Sequence, residues 1–175
     1  PLGRGLSGRR LGLLGIGGIG QAVARRAGAF GLRVAYHARH ARPVPWEHVP
    51  DLPALARASD ILVVAVPGGA ATRGLVSTAV LDALGPGGLL VNVARGSVVD
   101  EPALIAALED RRLGAAALDV FASEPNPDPR LTRLPTVVLT PHTGSATQET
   151  RDAMARMVLD NLAAFFAGRP MPGAV

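Results

Sequence analysis

The 175-residue sequence predicts an α/β fold, a doubly wound parallel sheet with helices on both faces. Three observations carry that expectation. Continuous apolar runs such as Ile61 to Val66 and Leu89 to Val93 read as strands buried on both faces, as a parallel sheet requires. Those runs alternate with segments of helical periodicity. The first run, Leu11 to Leu14, breaks directly into Gly15-Ile16-Gly17-Gly18-Ile19-Gly20 and then into a helical pattern.

That turn has the GxGxxG spacing of a Rossmann-type unit. Gly15 is expected to permit the tight turn, Gly17 to let the backbone approach a pyrophosphate, and Gly20 to allow close helix–strand packing. Gly18 and Ile19 open the helix, whose N–H groups would point at the phosphates. The spacing alone is weak in a chain with 21 glycines; its place between a strand and a helix gives it weight.

The remaining elements follow in order. A helix is predicted over 18–30, with Ile19, Val23, Ala27 and Phe30 at helical spacing and Gly31 as its stop. The second strand spans Leu32 to Tyr36. Pro43, Pro45, Pro50 and Pro53 make 41–53 an extended loop, with a short helix over 51–58. Strand Ile61 to Val66 ends at Pro67-Gly68-Gly69. A helix over 77–84 and a glycine-rich turn lead to strand Leu89 to Val93. Asp100 caps a helix with Pro102 in its first turn that runs to Glu109. Strand Ala115 to Val120 follows. Pro125, Pro127 and Pro129 predict a rigid loop, and Thr136 to Leu139 the last strand. Ser145 and Gln148 form a capping box for a long helix that ends near Ala167. Six or seven strands result.

Composition bounds the rest. Hydrophobic residues make up 48% and charged residues 18%, which fits a folded globule rather than disorder. Without cysteine, disulfides and thiolate chemistry are excluded. No apolar run reaches the about 18 residues of a membrane span, and no signal peptide is visible, so a cytoplasmic protein without a membrane partner is expected. The net charge is +4 with no lysine at all. The arginines are dispersed and lack interleaved aromatics, which argues against a nucleic-acid partner. A chain that opens on Pro1 rather than Met is expected to be part of something longer.

Three charged residues fall just past strand ends, where α/β proteins place their sites. They are Arg95 in Asn92-Val93-Ala94-Arg95-Gly96, Glu124 in Asp119-Val120-Phe121-Ala122-Ser123-Glu124-Pro125, and His142 in Thr140-Pro141-His142-Thr143-Gly144. Taken singly, each also reads as an ordinary loop residue. Their sequence contexts decide the matter. VNVARGSVVDEPAL, LDVFASEP and LTPHTGSAT resemble, in order and spacing, the signature segments of the D-isomer-specific 2-hydroxyacid dehydrogenases.

The resemblance covers nearly the whole chain but only the nucleotide-binding domain of that family's subunit, so 1–175 is expected to be that domain, without the substrate domain. It implies an oxidoreductase moving hydride between nicotinamide C4 and a small 2-oxo or 2-hydroxy acid. His142 would be the general acid/base, Glu124 its hydrogen-bonding partner, and Arg95 the clamp on the substrate's anionic oxygens. Asp119 would face the nicotinamide. Cofactor contacts are further implied at Val66, Pro67, Thr72, Val93, Ala94 and Gly144, with Arg95 and His142 shared. Metal ligands are not implied. A homodimer is expected by the same resemblance, and the chain alone is expected to bind cofactor with little or no turnover.

The choice of cofactor turns on the end of strand two. An acid there would bind the ribose 2′-hydroxyl and repel a 2′-phosphate. The position falls near His37, in Tyr36-His37-Ala38-Arg39-His40-Ala41-Arg42, and no acid is present. Arg39 and Arg42 suit a phosphate, so NADP(H) is favoured over NAD(H), as in glyoxylate/hydroxypyruvate reductases. Ordinary solvated arginines are the alternative. His40 and His48 are expected to be loop residues. Gly18, where many members carry Arg or Asn, forgoes one side-chain contact to the phosphates. Pro67-Gly68-Gly69 replaces a more usual Pro-Leu-Thr and is expected to loosen the pocket. The alternatives are an NAD-dependent member such as phosphoglycerate dehydrogenase, or a non-enzymatic dinucleotide-sensing protein resembling the corepressors that share this fold.

Overall fold

Seven parallel strands form the sheet among the described residues, 5–173 of the computed structural model. In chain order the elements are β1 (Arg10–Leu14), α1 (Gly18–Ala29), β2 (Arg33–His37), β3 (Glu47–His48), α2 (Leu52–Arg57), β4 (Ile61–Val64), α3 (Thr78–Leu84), β5 (Leu89–Asn92), α4 (Glu101–Glu109), β6 (Ala115–Leu118), α5 (Pro129–Arg133), β7 (Val137–Leu139) and α6 (Gln148–Phe166). The strand order is β3-β2-β1-β4-β5-β6-β7, and every pairing is parallel. Order reverses between β1 and β4, which sets a crevice at the carboxyl ends of those strands. The chain divides into two units, residues 5–141 with the sheet and residues 142–173 with α6.

The pleat sends alternate residues to opposite faces. Leu14, Leu62, Val64, Leu90 and Leu118 pack with Leu55 of α2, Leu81 of α3 and Leu104 of α4. Leu11, Leu13 and Val63 turn the other way, onto Ala24 and Ala27 of α1. Helices therefore cover both faces, as the apolar runs require. Leu13, Leu62, Leu81 and Leu90 are fully buried, and truncating any one to alanine costs about 2–5 kcal/mol. Short helices gain stability from local caps: the Asp51 carboxylate accepts from the Ala54 N–H at 2.8 Å, and Asp100 from Ala103 at 3.1 Å.

The structure corrects several expectations. Within 41–53, read as loop, Glu47 and His48 form β3, paired as Ala35↔Glu47 and Tyr36↔His48, so His48 is a strand residue. The proline segment contains α5, because Pro129 sits in its first turn, where no N–H is needed, behind an Asp128 cap. Strands β4, β5 and β6 end at Val64, Asn92 and Leu118, earlier than the apolar runs suggest. Ile19 and Phe30 are exposed; α1 instead presses Gly20, Ala24 and Ala27 onto the sheet, small residues that allow a close approach. The cap of α6 is Thr147, whose hydroxyl accepts from the Thr150 N–H at 3.2 Å, rather than Ser145.

Candidate functional site

The register aligns one row across the carboxyl ends of six strands: His37, Leu14, Val64, Asn92, Leu118 and Leu139 are successive neighbours. Five strand-to-strand steps of about 4.8 Å make this row about 24 Å long. Of the candidate residues in residues 5–141, His37 lies on this row and the others lie one to eight positions beyond it.

At the β1 end, Gly15 has φ +98° and donates its N–H to the His37 carbonyl at 2.9 Å. A Cβ there would lie 2.7 Å from the Ala65 carbonyl oxygen, and one on Gly20 only 2.2 Å from the Gly15 oxygen. Gly17 and Gly18 are exposed, and a Cβ on either would meet no protein atom within 4 Å. Exposed Ile19 extends the same open edge. The start of α1 has no side-chain cap and no acid in its first turn, unlike the capped starts of α2, α4, α5 and α6. An open, uncapped helix N-terminus approached by bare backbone suits an anionic phosphate group.

At the β2 end, His37 Nδ1 lies 3.0 Å from the Val49 carbonyl oxygen. Arg39, His40 and Arg42 project from the following loop with exposed side chains. After β4, the Thr72 hydroxyl donates to the Pro67 carbonyl at 2.7 Å, closing the Val66–Thr72 segment on itself. Gly68 is packed against Arg95. The place of its absent Cβ lies 2.7 Å from Arg95 Cγ, so the Arg95 stem fills the space.

Arg95 sits on a turn built by a residue that sequence reasoning passed over. Asn92 is buried; its Nδ2 donates to the Arg95 carbonyl at 3.1 Å and its Oδ1 accepts from the Ala94 N–H at 3.0 Å. Val93 and Arg95 are exposed beside this turn while Ala94 is buried. The guanidinium is steadied by its own backbone, Nη1 donating to the Ala94 carbonyl at 2.6 Å.

The loop after β6 is pressed against that turn. A Cβ on Gly96 would lie 2.2 Å from the Phe121 carbonyl, so only glycine admits this contact. Buried Glu101, the first residue of α4, accepts from the Ala122 N–H at 2.8 Å and ties the loop down. Glu124 is exposed and its Oε1 accepts from the Phe121 N–H at 3.2 Å. The Thr140 hydroxyl donates to Asp119, joining the ends of β6 and β7. Arg95, Asp119 and Glu124 are thus brought to adjoining loops. Asn92 and Glu101 both lie within the segment VNVARGSVVDEPAL, but their reach depends on which loops the sheet brings together.

His142 opens the second unit, with Gly144 two residues on. Its φ of 53° is left-handed, a conformation that costs a non-glycine residue about 1–2 kcal/mol. Strain of this kind gathers at functional loops. Among the described residues, no cluster of His, Asp or Glu could hold a metal ion, and no helix is long and apolar enough to cross a membrane.

Comparison with known proteins agrees with this geometry. Residues 1–144 match the family model for the D-isomer specific 2-hydroxyacid dehydrogenase NAD binding domain. The chain is 50% identical over 172 residues to the 2-ketogluconate reductase of Gluconobacter oxydans, covering 98% of this chain and 56% of that protein. It is 49% identical to glyoxylate/hydroxypyruvate reductase A of Arabidopsis thaliana, covering 94% and 53%. The chain thus spans about half the length of the curated relatives it matches. Among solved structures, a 2-hydroxyacid dehydrogenase from Ketogulonicigenium vulgare Y25 superposes with a TM-score of 0.93 at 51% identity, over 98% of this chain and 54% of that one. An NADPH-dependent glyoxylate/hydroxypyruvate reductase from Sinorhizobium meliloti, in complex with NADP and malonate, gives 0.89 at 49% identity, over 91% and 50%. On the family match, the sheet order and the glycine turn together, the chain belongs to the D-isomer specific 2-hydroxyacid dehydrogenase family.

Proposed function

We propose that the 175 residues are the nucleotide-binding domain of an NADP(H)-dependent reductase of small 2-oxo acids, of the glyoxylate/hydroxypyruvate type. The observation that carries this reading is the row itself. An open, uncapped glycine turn lies toward one end, and Arg95, Asp119 and Glu124 follow the strands toward the other. A dinucleotide lying along it would have its pyrophosphate at Gly15–Gly20 and its nicotinamide beside Val66, Pro67, Thr72, Val93, Ala94 and Asp119.

When bound, the cofactor supplies the hydride that reduces the substrate's carbonyl carbon. The chain's own residues do the rest. Arg95 offers its planar fork to the carboxylate and carbonyl oxygens, which fixes the face presented for reduction and favours the developing alkoxide. His142 would give its proton to that oxygen, completing the 2-hydroxy acid. By the family resemblance, Glu124 is the residue proposed to partner the imidazole. Thr72 and Asn92 keep the loops that frame the ring in place.

The choice of NADP(H) over NAD(H) is supported by the β2 end, where residues 37–42 contain no acid but do contain Arg39 and Arg42. The NADP complex of the similar Sinorhizobium meliloti enzyme supports the same choice. The substrate-facing wall of the cleft, and with it the identity of the acid, belongs to sequence outside these residues. A homodimer in the cytoplasm is the assembly we propose from the family resemblance.

The test is turnover of NADPH by the full-length protein, substrate domain included, with glyoxylate and with hydroxypyruvate. His142→Ala is expected to lower kcat by about 10²–10⁴-fold. Unchanged turnover in that variant would refute the assignment of the proton to His142. Intact NADPH binding with no turnover of any 2-oxo acid would instead favour a sensor.

A further inference from the structure

The proposed 2′-phosphate loop is held by a clamp that no motif announces. Tyr36 is 1% exposed, the last buried residue of β2. Its hydroxyl accepts from the Arg42 N–H at 2.7 Å and donates to the Arg42 carbonyl at 3.3 Å, so residues 37–42 form a closed ring on one phenol. The Val44 N–H donates to the same Arg42 carbonyl at 2.8 Å. His48 of β3 lies across from Tyr36 with ring centroids 5.2 Å apart, and its Nε2 is 2.9 Å from the Ala38 carbonyl oxygen. On the far side, the Val49 N–H donates to the Tyr36 carbonyl at 2.8 Å. Arg39, His40 and Arg42 are exposed, but the backbone that carries them is pinned at both ends.

We propose that Tyr36, seconded by His48, is a positioning residue for cofactor choice: it fixes the 38–42 loop so that Arg39 and Arg42 meet a 2′-phosphate ready-ordered. The proposal rests on the NADP(H) reading above. A loop ordered before binding loses less conformational entropy when its arginines engage the phosphate. NADH, lacking that phosphate, draws nothing from the loop. Tyr36 thus acts on the difference between the two cofactors rather than on binding in general.

The experiment is calorimetric titration of the purified protein with NADPH and with NADH, for wild type, Tyr36→Phe, Arg39→Ala and the double variant. Tyr36→Phe keeps the buried ring and removes both hydroxyl bonds to the Arg42 backbone. NADPH affinity is expected to fall about fivefold, with NADH affinity unchanged within twofold. In the Arg39→Ala background the Tyr36→Phe loss should shrink to less than twofold, because the arginine it serves is gone. His48→Phe, which keeps the ring contact but loses the bond to Ala38, should shift the NADPH/NADH ratio in the same direction. An unaltered ratio in Tyr36→Phe, or equal losses for both cofactors, overturns the positioning role alone. Wild-type protein that binds NADH as tightly as NADPH overturns the cofactor reading and the positioning role with it.

Discussion

Asn92→Ala tests whether the Arg95 turn is built as described. The side chain is 1% exposed and makes two bonds to the turn, to the Arg95 carbonyl at 3.1 Å and from the Ala94 N–H at 3.0 Å. Alanine removes both. Each is worth about 1 kcal/mol net, and the Ala94 N–H, on a buried residue, is left without that acceptor, a further cost of about 1–3 kcal/mol. The expected loss is about 3–5 kcal/mol. With a urea slope of about 2 kcal/mol per molar, the unfolding midpoint should fall by about 1.5–2.5 M. The same variant frees the backbone under Arg95, and a displacement near 1 Å at a substrate clamp can cost about 10²-fold in kcat/KM. Urea unfolding followed by circular dichroism, with kinetics in the absence of urea, reads both effects. A midpoint shift under about 0.3 M with kcat/KM unchanged would refute the claim that Asn92 builds this turn.

Two further predictions come from the glycine turn and the surface. Gly20→Ala, whose Cβ would lie 2.2 Å from the Gly15 oxygen, should cost about 1–3 kcal/mol in thermal or urea unfolding. Gly17→Ala, which meets no protein atom, should leave stability within about 0.5 kcal/mol yet weaken NADPH binding about tenfold by calorimetry. At the start of α5, the Arg130 guanidinium and N–H bond Asp128 and hold its carboxyl below its ordinary value. A depressed carboxylate stabilises the fold above the unfolded pKa of about 3.9, and that contribution is lost as pH falls through the lower folded value. In an NMR titration the Asp128 midpoint should therefore lie below 3.8 and rise in Arg130→Ala; an unmoved midpoint would contradict the pairing.

Much of this architecture is legible in the sequence because a parallel sheet writes its strands as bare apolar runs. Leu11–Leu14, Ile61–Val64 and Leu89–Asn92 all lie inside runs that composition alone marks. The glycine turn was legible for the same reason, since few residues tolerate φ +98° at Gly15 or fit against it at Gly20. What escaped is set by partners distant in sequence. The two-residue edge strand Glu47–His48 has polar side chains and one neighbour, so neither periodicity nor burial betrays it. Pro129 reads as a breaker until Asp128 is seen to cap the turn it begins. Ser145 heads a capping-box spacing, but the backbone places the cap at Thr147. Candidates Arg95, Glu124 and His142 were visible through their flanking motifs. Asn92, Glu101 and Tyr36, which hold the site's backbone, were not, because each reaches a loop whose proximity the fold alone creates.

The central claim is hydride transfer to a 2-oxo acid with the proton delivered by His142. Its most direct test uses NADPH carrying deuterium at the transferable position of the nicotinamide ring, incubated with the full-length protein, substrate domain included, and glyoxylate or hydroxypyruvate. The account predicts deuterium on the carbinol carbon of the product, in one stereochemical sense, with formation nearly abolished in His142→Ala. Product without deuterium, or full labelling that survives His142→Ala, would contradict it.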